Sequence, residues 1–303
     1  MIWPNNKDFA FTIVDDTELA TVTNVKPIYD FLLKQNIFTT KTVWVYPSRD
    51  HFSGQCLLDD EYYQFILDIK SHGVEIALHG VGSGDFNRNE IKEGIEIFKN
   101  KIGNYPNLHT NHAHNPYNIY WGNTSYHCIL RLYSWLRNSK ENFYGEDSES
   151  KYFWGDLVKN HIKYIRGKTC KYINTLAFDP KMPYREKNKK YSNFWFSSSD
   201  GENINTFNKL ICKENIDKLI IERGLCIVYT HFGDGFVIDN KLNNDFQKNI
   251  QYLSQQNGWF APASQILDYL LINKTNEYTS GFYLKKFEIN IIKSGLKKRF
   301  IKK

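Results

Sequence analysis

The sequence predicts an α/β fold of parallel βαβ units, and three observations carry that reading. Short apolar runs alternate with amphipathic helical patterns as far as position 271. Polar, chemistry-bearing residues fall where the apolar runs stop, at the carboxyl ends of the strands. The length, 303 residues, suits a single α/β barrel with a short addition, because barrels of roughly 250 residues form one domain.

Residues 9–14 read as a buried strand that ends abruptly in Asp15 and Asp16. Asn24 is placed to cap a helix over 25–35, with Ile28, Phe31 and Leu32 on one stripe. A second strand spans 42–46 and stops at Pro47; a helix over 59–71 carries Tyr63, Phe65, Ile66 and Ile69 and is closed by His72 and Gly73. The third strand, 74–78, ends at His79 and Gly80, followed by a helix over 89–102 and a strand over 108–111. The stretch 117–190 reads as helices and long loops with one strand near Ile173; it holds Trp121, Tyr133, Trp135, Tyr152 and Trp154 among many charges. The pattern returns with a strand over 193–196, leading through serines to Asp200, and a helix over 213–223. Residues 225–229 form the clearest late strand, ending in Thr230 and His231. A helix over 244–256, a short strand at Trp259 and Phe260, and a closing helix over 263–271 complete the pattern. The expected division is a barrel over 1–272 and a basic C-terminal extension over 273–303.

Hydrophobic residues at 41% and charged residues at 24% are those of a globular protein. Aromatics at 16% fit either a cleft that stacks on sugar rings or the Tyr-, Asn- and Lys-rich composition of an AT-rich genome. The net charge is +6, yet residues 283–303 hold seven Lys and one Arg against one Glu, so the rest of the chain is nearly neutral. A chain-wide nucleic-acid surface is therefore excluded. The tail reads either as a segment packed on the barrel over 283–292 with a solvated end, or as a peripheral contact with an anionic membrane through 297–303. Five cysteines (Cys56, Cys128, Cys170, Cys212 and Cys226) are odd in number and widely spaced, which argues against a disulfide framework and a cysteine zinc site. No secretory pattern and no long apolar span is found, so the cytoplasm, extending to the inner face of the membrane, is the expected location.

Four constellations carry chemistry. Asp15 and Asp16 are adjacent at a strand end, so they point to opposite sides; one can bind a metal while the other stays free as a base. His79 follows a buried strand and precedes a glycine, which lets it reach into a cleft. His112 and His114 are two apart and share a face in an extended segment, the best metal-ligand spacing in the chain. His231 ends the late strand and can protonate a leaving group.

Taken together, over residues 7–271, these features resemble the polysaccharide deacetylase superfamily, which implies a distorted (β/α) barrel. By that resemblance Asp15 is the general base, Asp16 and His79 are metal ligands, and His231 is the general acid. The residues 258–262 and the helix at Ile266 are similar to the family's final strand and helix. Two departures stand out. The family's second metal-binding histidine falls four residues after the first, where this chain has Ser83. The family's Arg-Pro motif is absent, and the segment with His112, His114, Asn115 and Pro116 occupies its place. Either the third ligand has moved to that segment, or the metal is weakened or lost. Tyr164, Arg166, Asp156 and Asp200 are expected to line the same cleft, with an arginine orienting a carboxylate and a carboxylate orienting the catalytic histidine.

The resemblance implies a metal-dependent hydrolase that removes an N- or O-acetyl group from a sugar, with a divalent cation, zinc by preference, as cofactor. The expected partner is a carbohydrate: a nucleotide sugar, a lipid-linked glycan or a polysaccharide precursor. Two alternatives stay open: cleavage of another C–N bond on the same barrel, and a catalytically silent barrel serving as a binding or scaffold module.

Overall fold

The computed structural model describes residues 3–125, 142–272, 274 and 278–300, with side chains as far as Ile291. Tyr133, Trp135, Cys128 and the last three residues of the basic tail lie outside the described residues. Seven parallel strands form the core: β1 (Phe9–Asp15), β2 (Thr40–Val43), β3 (Glu75–Leu78), β4 (Leu108–His109), β5 (Tyr164–Cys170), β6 (Phe194–Asp200) and β7 (Leu225–Thr230). They pair in chain order, and β7 returns to β1 along residues 10–15, closing a barrel. A small hairpin, β8 (Val237–Ile238) with β9 (Lys241–Leu242), follows. Strand β10 (Gly258–Phe260) then lies beside residues 9–11 of β1, leaving only Val14 and Asp15 to pair with β2. The central strand β1 thus meets three strands, and the barrel is distorted at that seam. Every residue of β1 is buried, which is why it reads as an unbroken apolar run.

Two expected strands sit elsewhere, for one physical reason. The second strand begins earlier, at Thr40, because Lys41 is wholly buried within it; a charged residue hid the strand from an apolar search. Beyond Val43 the chain bends away, and the amides of Val45 and Tyr46 both donate to the Val81 carbonyl. The fifth strand is 164–170 rather than near Ile173, because Arg166 and Lys168 interrupt its apolar pattern.

Local signals account for the helices. Helix α1 (Val22–Lys34) starts before the expected point: Thr21 is its cap, and Asn24 sits inside the first turn, closing a capping box with the Thr21 amide. Helix α2 (Asp60–Ser71) follows Asp59. Helix α3 (Arg88–Ile102) has a second capping box, Asn87 with Glu90, and ends at Gly103 in the left-handed region. Among the described residues the remaining barrel helices are α4 (Gly155–His161), α5 (Thr175–Phe178), α6 (Ile204–Leu210), α7 (Lys213–Ile221), α8 (Asn244–Ser254) and α9 (Ala263–Leu271). The aromatic richness largely fills the interior: Trp3, Trp44, Trp154 and Trp195 are buried. Cys56, Cys170, Cys212 and Cys226 are free thiols. Among the described residues no helix is long and apolar enough to cross a membrane.

The extension forms helix α10 (Gly281–Phe300), whose first turns pack on the barrel. The Tyr283 hydroxyl donates to the buried carboxylate of Asp179 at 2.6 Å, Phe287 lies 5.0 Å from the Phe178 ring, and Leu284 is buried. Replacing Phe287 with Ala should therefore cost about 3 kcal/mol of unfolding free energy, and Tyr283→Phe about 1–3 kcal/mol through the lost hydrogen bond. Denaturant unfolding of the full chain checks both; a change within about 0.5 kcal/mol, the scale of an ordinary surface substitution, would show that this docking adds nothing to stability.

Candidate active site

The carboxyl ends of the barrel strands bring their polar side chains into one cluster, in keeping with parallel α/β topology. Asp15 and Asp16 end β1, His79 follows β3, Thr110 follows β4, Arg166 comes from β5, and His231 follows β7. Gly80 lets His79 turn inward. Its φ is +69°, and a Cβ there would lie 2.5 Å from the Tyr117 hydroxyl.

The two adjacent aspartates do point apart. Asp15 faces the helix layer, where Lys41 lies 2.7 Å from Oδ2, the Tyr29 hydroxyl of α1 donates to Oδ2 at 2.9 Å, and the Phe232 amide donates to Oδ1 at 2.9 Å. Burial lifts its carboxyl above the usual range, while Lys41, Phe232 and Tyr29 pull the other way. Asp16 faces this cluster and receives both arms of Arg166, Nη1 to Oδ1 at 2.9 Å and Nη2 to Oδ2. Burial works against its charge, but Arg166 and then His79 outweigh it and hold the carboxyl below its ordinary value. Arg166 in turn lies 4.7 Å over the Tyr229 ring.

Glu18 stands at the centre. Its Oε1 lies 3.0 Å from His79 Nε2 and 2.7 Å from His112 Nδ1, and these two nitrogens are 3.3 Å apart. Burial raises the Glu18 carboxyl, but His79, His112 and His231 together hold it well below the ordinary range. Its Oε2 is buried and makes no hydrogen bond, with His231 Nε2 3.6 Å away. Glu18, His79 and His112 offer donor atoms within 4.8 Å of one another, and so do Asp16, Glu18 and His231. Two imidazoles and a carboxylate whose second oxygen is buried without a hydrogen bond fit a divalent cation by chemistry.

His231 is 18% exposed, at the edge of the cluster. Its Nδ1–H donates to the Glu202 carbonyl at 2.8 Å, which leaves Nε2 facing Glu18. Burial disfavours its charged form, yet Glu18 and Asp16 outweigh that and raise its pKa to about 9. The expected orienting carboxylate is thus replaced by a backbone carbonyl.

The structure brings Asp16, His79, His112, Arg166 and His231 together and separates the other expected residues. Asp15 is on the far face of its strand. His114 is exposed, outside the cluster, 6.4 Å from the Phe52 ring. Tyr164 begins β5 at the opposite end of the barrel, where its hydroxyl donates to Asp268 of α9. Asp156 lies on α4 and is clasped by Arg88 through two hydrogen bonds of 2.7 and 2.8 Å. Asp200 ends β6 at the rim, where the Glu202 amide donates to it at 3.4 Å. Sequence reasoning missed Glu18 and Lys41. Glu18 had a signal, being a third carboxylate two residues past Asp16, but the chain turns there, so an alternating pattern could not place it.

No family model matches the chain, and no curated protein matches it. Solved structures do. A presumed polysaccharide deacetylase from Mycobacterium smegmatis aligns over 92% of this chain and 96% of its own, at 12% identity and a TM-score of 0.53. The peptidoglycan deacetylase PdaC from Bacillus subtilis aligns over 98% and 99%, at 12% identity and a TM-score of 0.37. A GH57-type branching enzyme from Pyrococcus horikoshii aligns over 89% and 71%, at 8% identity and a TM-score of 0.44. The first likeness shows a divergent deacetylase-type barrel fold.

The Asp15–Lys41 pair generates a stability test. Lys41→Met leaves a carboxylate buried without its counter-charge and should cost about 3–5 kcal/mol. The double variant Lys41→Met, Asp15→Leu should recover part of that loss. Equal unfolding midpoints for the wild type and Lys41→Met would contradict a buried ion pair.

Proposed function

We propose that this chain is a metal-dependent hydrolase that removes an acetyl group from a sugar, with Glu18, His79 and His112 holding the cation. The observation that carries the reading is the convergence of these three donor groups on one point, with Asp16 and His231 beside it. In this reading the motif is used one step along from the order the sequence resemblance implied. Glu18 takes the ligand role read for Asp16, and Asp16 takes the base role read for Asp15. His112, from the loop after β4, replaces the histidine missing at Ser83.

Each residue's task follows from its surroundings. A bound divalent cation, zinc being the ion this donor set suits, supplies Lewis acidity toward an acyl oxygen and a water. Asp16 is kept ionised by Arg166 and retains free lone pairs, so it accepts the water's proton. Arg166 fixes the plane of that carboxylate through its two arms. His231, anchored through Nδ1 to the Glu202 carbonyl, presents Nε2 to the cluster and delivers a proton to the departing amine or hydroxyl. The fold likeness to deacetylases favours a carbohydrate over other amides. A silent barrel is disfavoured, since the set of donors is complete without a residue at Ser83.

Two measurements test this reading. The purified chain should bind about one equivalent of a divalent metal by elemental analysis, and Glu18→Gln and His112→Ala should each lose it. Asp16→Asn and His231→Ala should keep the metal while acetate release from acetylated sugars falls by about 10²–10⁴. A substrate panel separates the alternatives: hydrolysis of simple amides or ureides with no acetate from N- or O-acetyl sugars would replace deacetylation with other C–N cleavage.

A further inference from the structure

Ser83 stands where a second metal-binding histidine was expected, and its surroundings give it a different task. Its Oγ lies 2.7 and 2.8 Å from the two carboxylate oxygens of Asp50, and 2.7 Å from His112 Nε2. An ionised carboxylate only accepts, so the single hydroxyl hydrogen of Ser83 goes to Asp50. Toward His112 the hydroxyl oxygen can then only accept, so Nε2 carries the imidazole hydrogen. Nδ1 then keeps its lone pair for a cation shared with Glu18 and His79; without one it sits 2.7 Å from Glu18 Oε1, whose lone pairs compete for a hydrogen on that nitrogen.

The partners of this relay are themselves held. The Phe52 amide donates to Asp50 at 3.0 Å, the Ser48 hydroxyl lies 3.0 Å from the same carboxylate, and the Arg49 amide donates to the Ser83 carbonyl at 2.8 Å. The Phe52 and Trp44 rings meet the His112 ring edge-on at 4.6 and 5.3 Å. Packing thus fixes where the ring sits, and the relay fixes which nitrogen is free. His79 repeats the pattern more loosely. Its Nδ1 meets the Thr110 hydroxyl, which lies 3.5 Å from Asp16 Oδ1.

We infer that Ser83 and Asp50 are positioning residues that lock His112 into its Nε2–H tautomer, and so make a histidine from the loop after β4 a competent metal ligand. The inference rests on the reading of Glu18, His79 and His112 as the metal centre. With both histidines set this way, three acceptor atoms face one another at 2.7–3.3 Å, an arrangement that repels itself until a cation is shared. Groups behind a ligand that orient it typically change metal affinity 10- to 100-fold when removed.

The test uses the full chain and zinc alone. Zinc affinity, measured by competition with a chromophoric chelator, should weaken about 10- to 100-fold in Ser83→Ala and in Asp50→Ala, and Ser83→Thr, which keeps the hydroxyl, should restore it. In Asp50→Ala the serine hydroxyl is free to donate to Nε2, so the opposite tautomer becomes available. Nitrogen-15 spectra of the metal-free protein read this directly: His112 should be the Nε2–H form in the wild type and lose that preference in Ser83→Ala, with the fold checked by circular dichroism. Unchanged affinity with an unchanged tautomer in Ser83→Ala overturns the relay, as does an Nδ1–H form in the wild type. A wild type that takes up no zinc overturns the metal-centre reading instead, and the tautomer then still decides the relay.

Discussion

The buried carboxylate of Asp15 joins four parts of the molecule that the chain itself keeps far apart. It binds Lys41 on β2, the Tyr29 hydroxyl on α1 and the Phe232 amide in the turn after β7, all from the end of β1. That turn carries His231, and the residues just beyond Asp15 carry Asp16 and Glu18. The distance between the candidate acid and the candidate base therefore depends on a group that touches neither the cluster nor any substrate within it. A buried pair of this kind is a poor source of net stability, because desolvation offsets much of the attraction, but it leaves few other arrangements open. Here it sets the register between the first and last strands of the barrel.

The end of β1 poses an electrostatic problem that the fold answers locally. Three carboxylates, Asp15, Asp16 and Glu18, lie within the first turn after one strand, all shielded from water. Each is matched to a different positive or donor-rich partner: Lys41 for Asp15, Arg166 for Asp16, and three histidines for Glu18. Lys41 and Arg166 hold the first two carboxylates in ion pairs, whereas the imidazoles around Glu18 offer lone pairs as well as hydrogens, so the third carboxylate sits among groups able to act as ligands.

Much of the architecture was legible because its cause is local. The run from Phe9 to Val14, the strand before His231 and the helix over 263–271 each carry their period and their end signals in a few adjacent residues. The elements that shifted were those in which a charged side chain is buried, β2 through Lys41 and β5 through Arg166, because their stabilising partners are distant in sequence. The site divides the same way. His79, His112 and His231 were visible as polar residues at strand ends. The surroundings of Asp15 and Asp16 were not, since only the packed structure shows that Lys41 lies beneath one and Arg166 beside the other. Glu18 was hidden by the neighbouring pair, and Tyr164 was misplaced because a residue's position along its strand decides which end of the barrel it reaches. His114 was paired with His112 on the assumption of an extended segment, whereas the chain turns there and leaves it exposed.

Strand β1 is made first during synthesis but is finished last. Its partners β7 and β10 begin at Leu225 and Gly258, more than two hundred residues later. Such long-range pairing closes large loops and slows folding. Until residues 258–260 leave the ribosome, the lower half of β1 has an open edge of unpaired backbone groups flanked by apolar side chains, the kind of surface on which chains join one another. A product that stops short of β10 would thus contain every candidate catalytic residue and still expose that edge. The integrity of the barrel is set by β10, downstream of all the candidate chemistry.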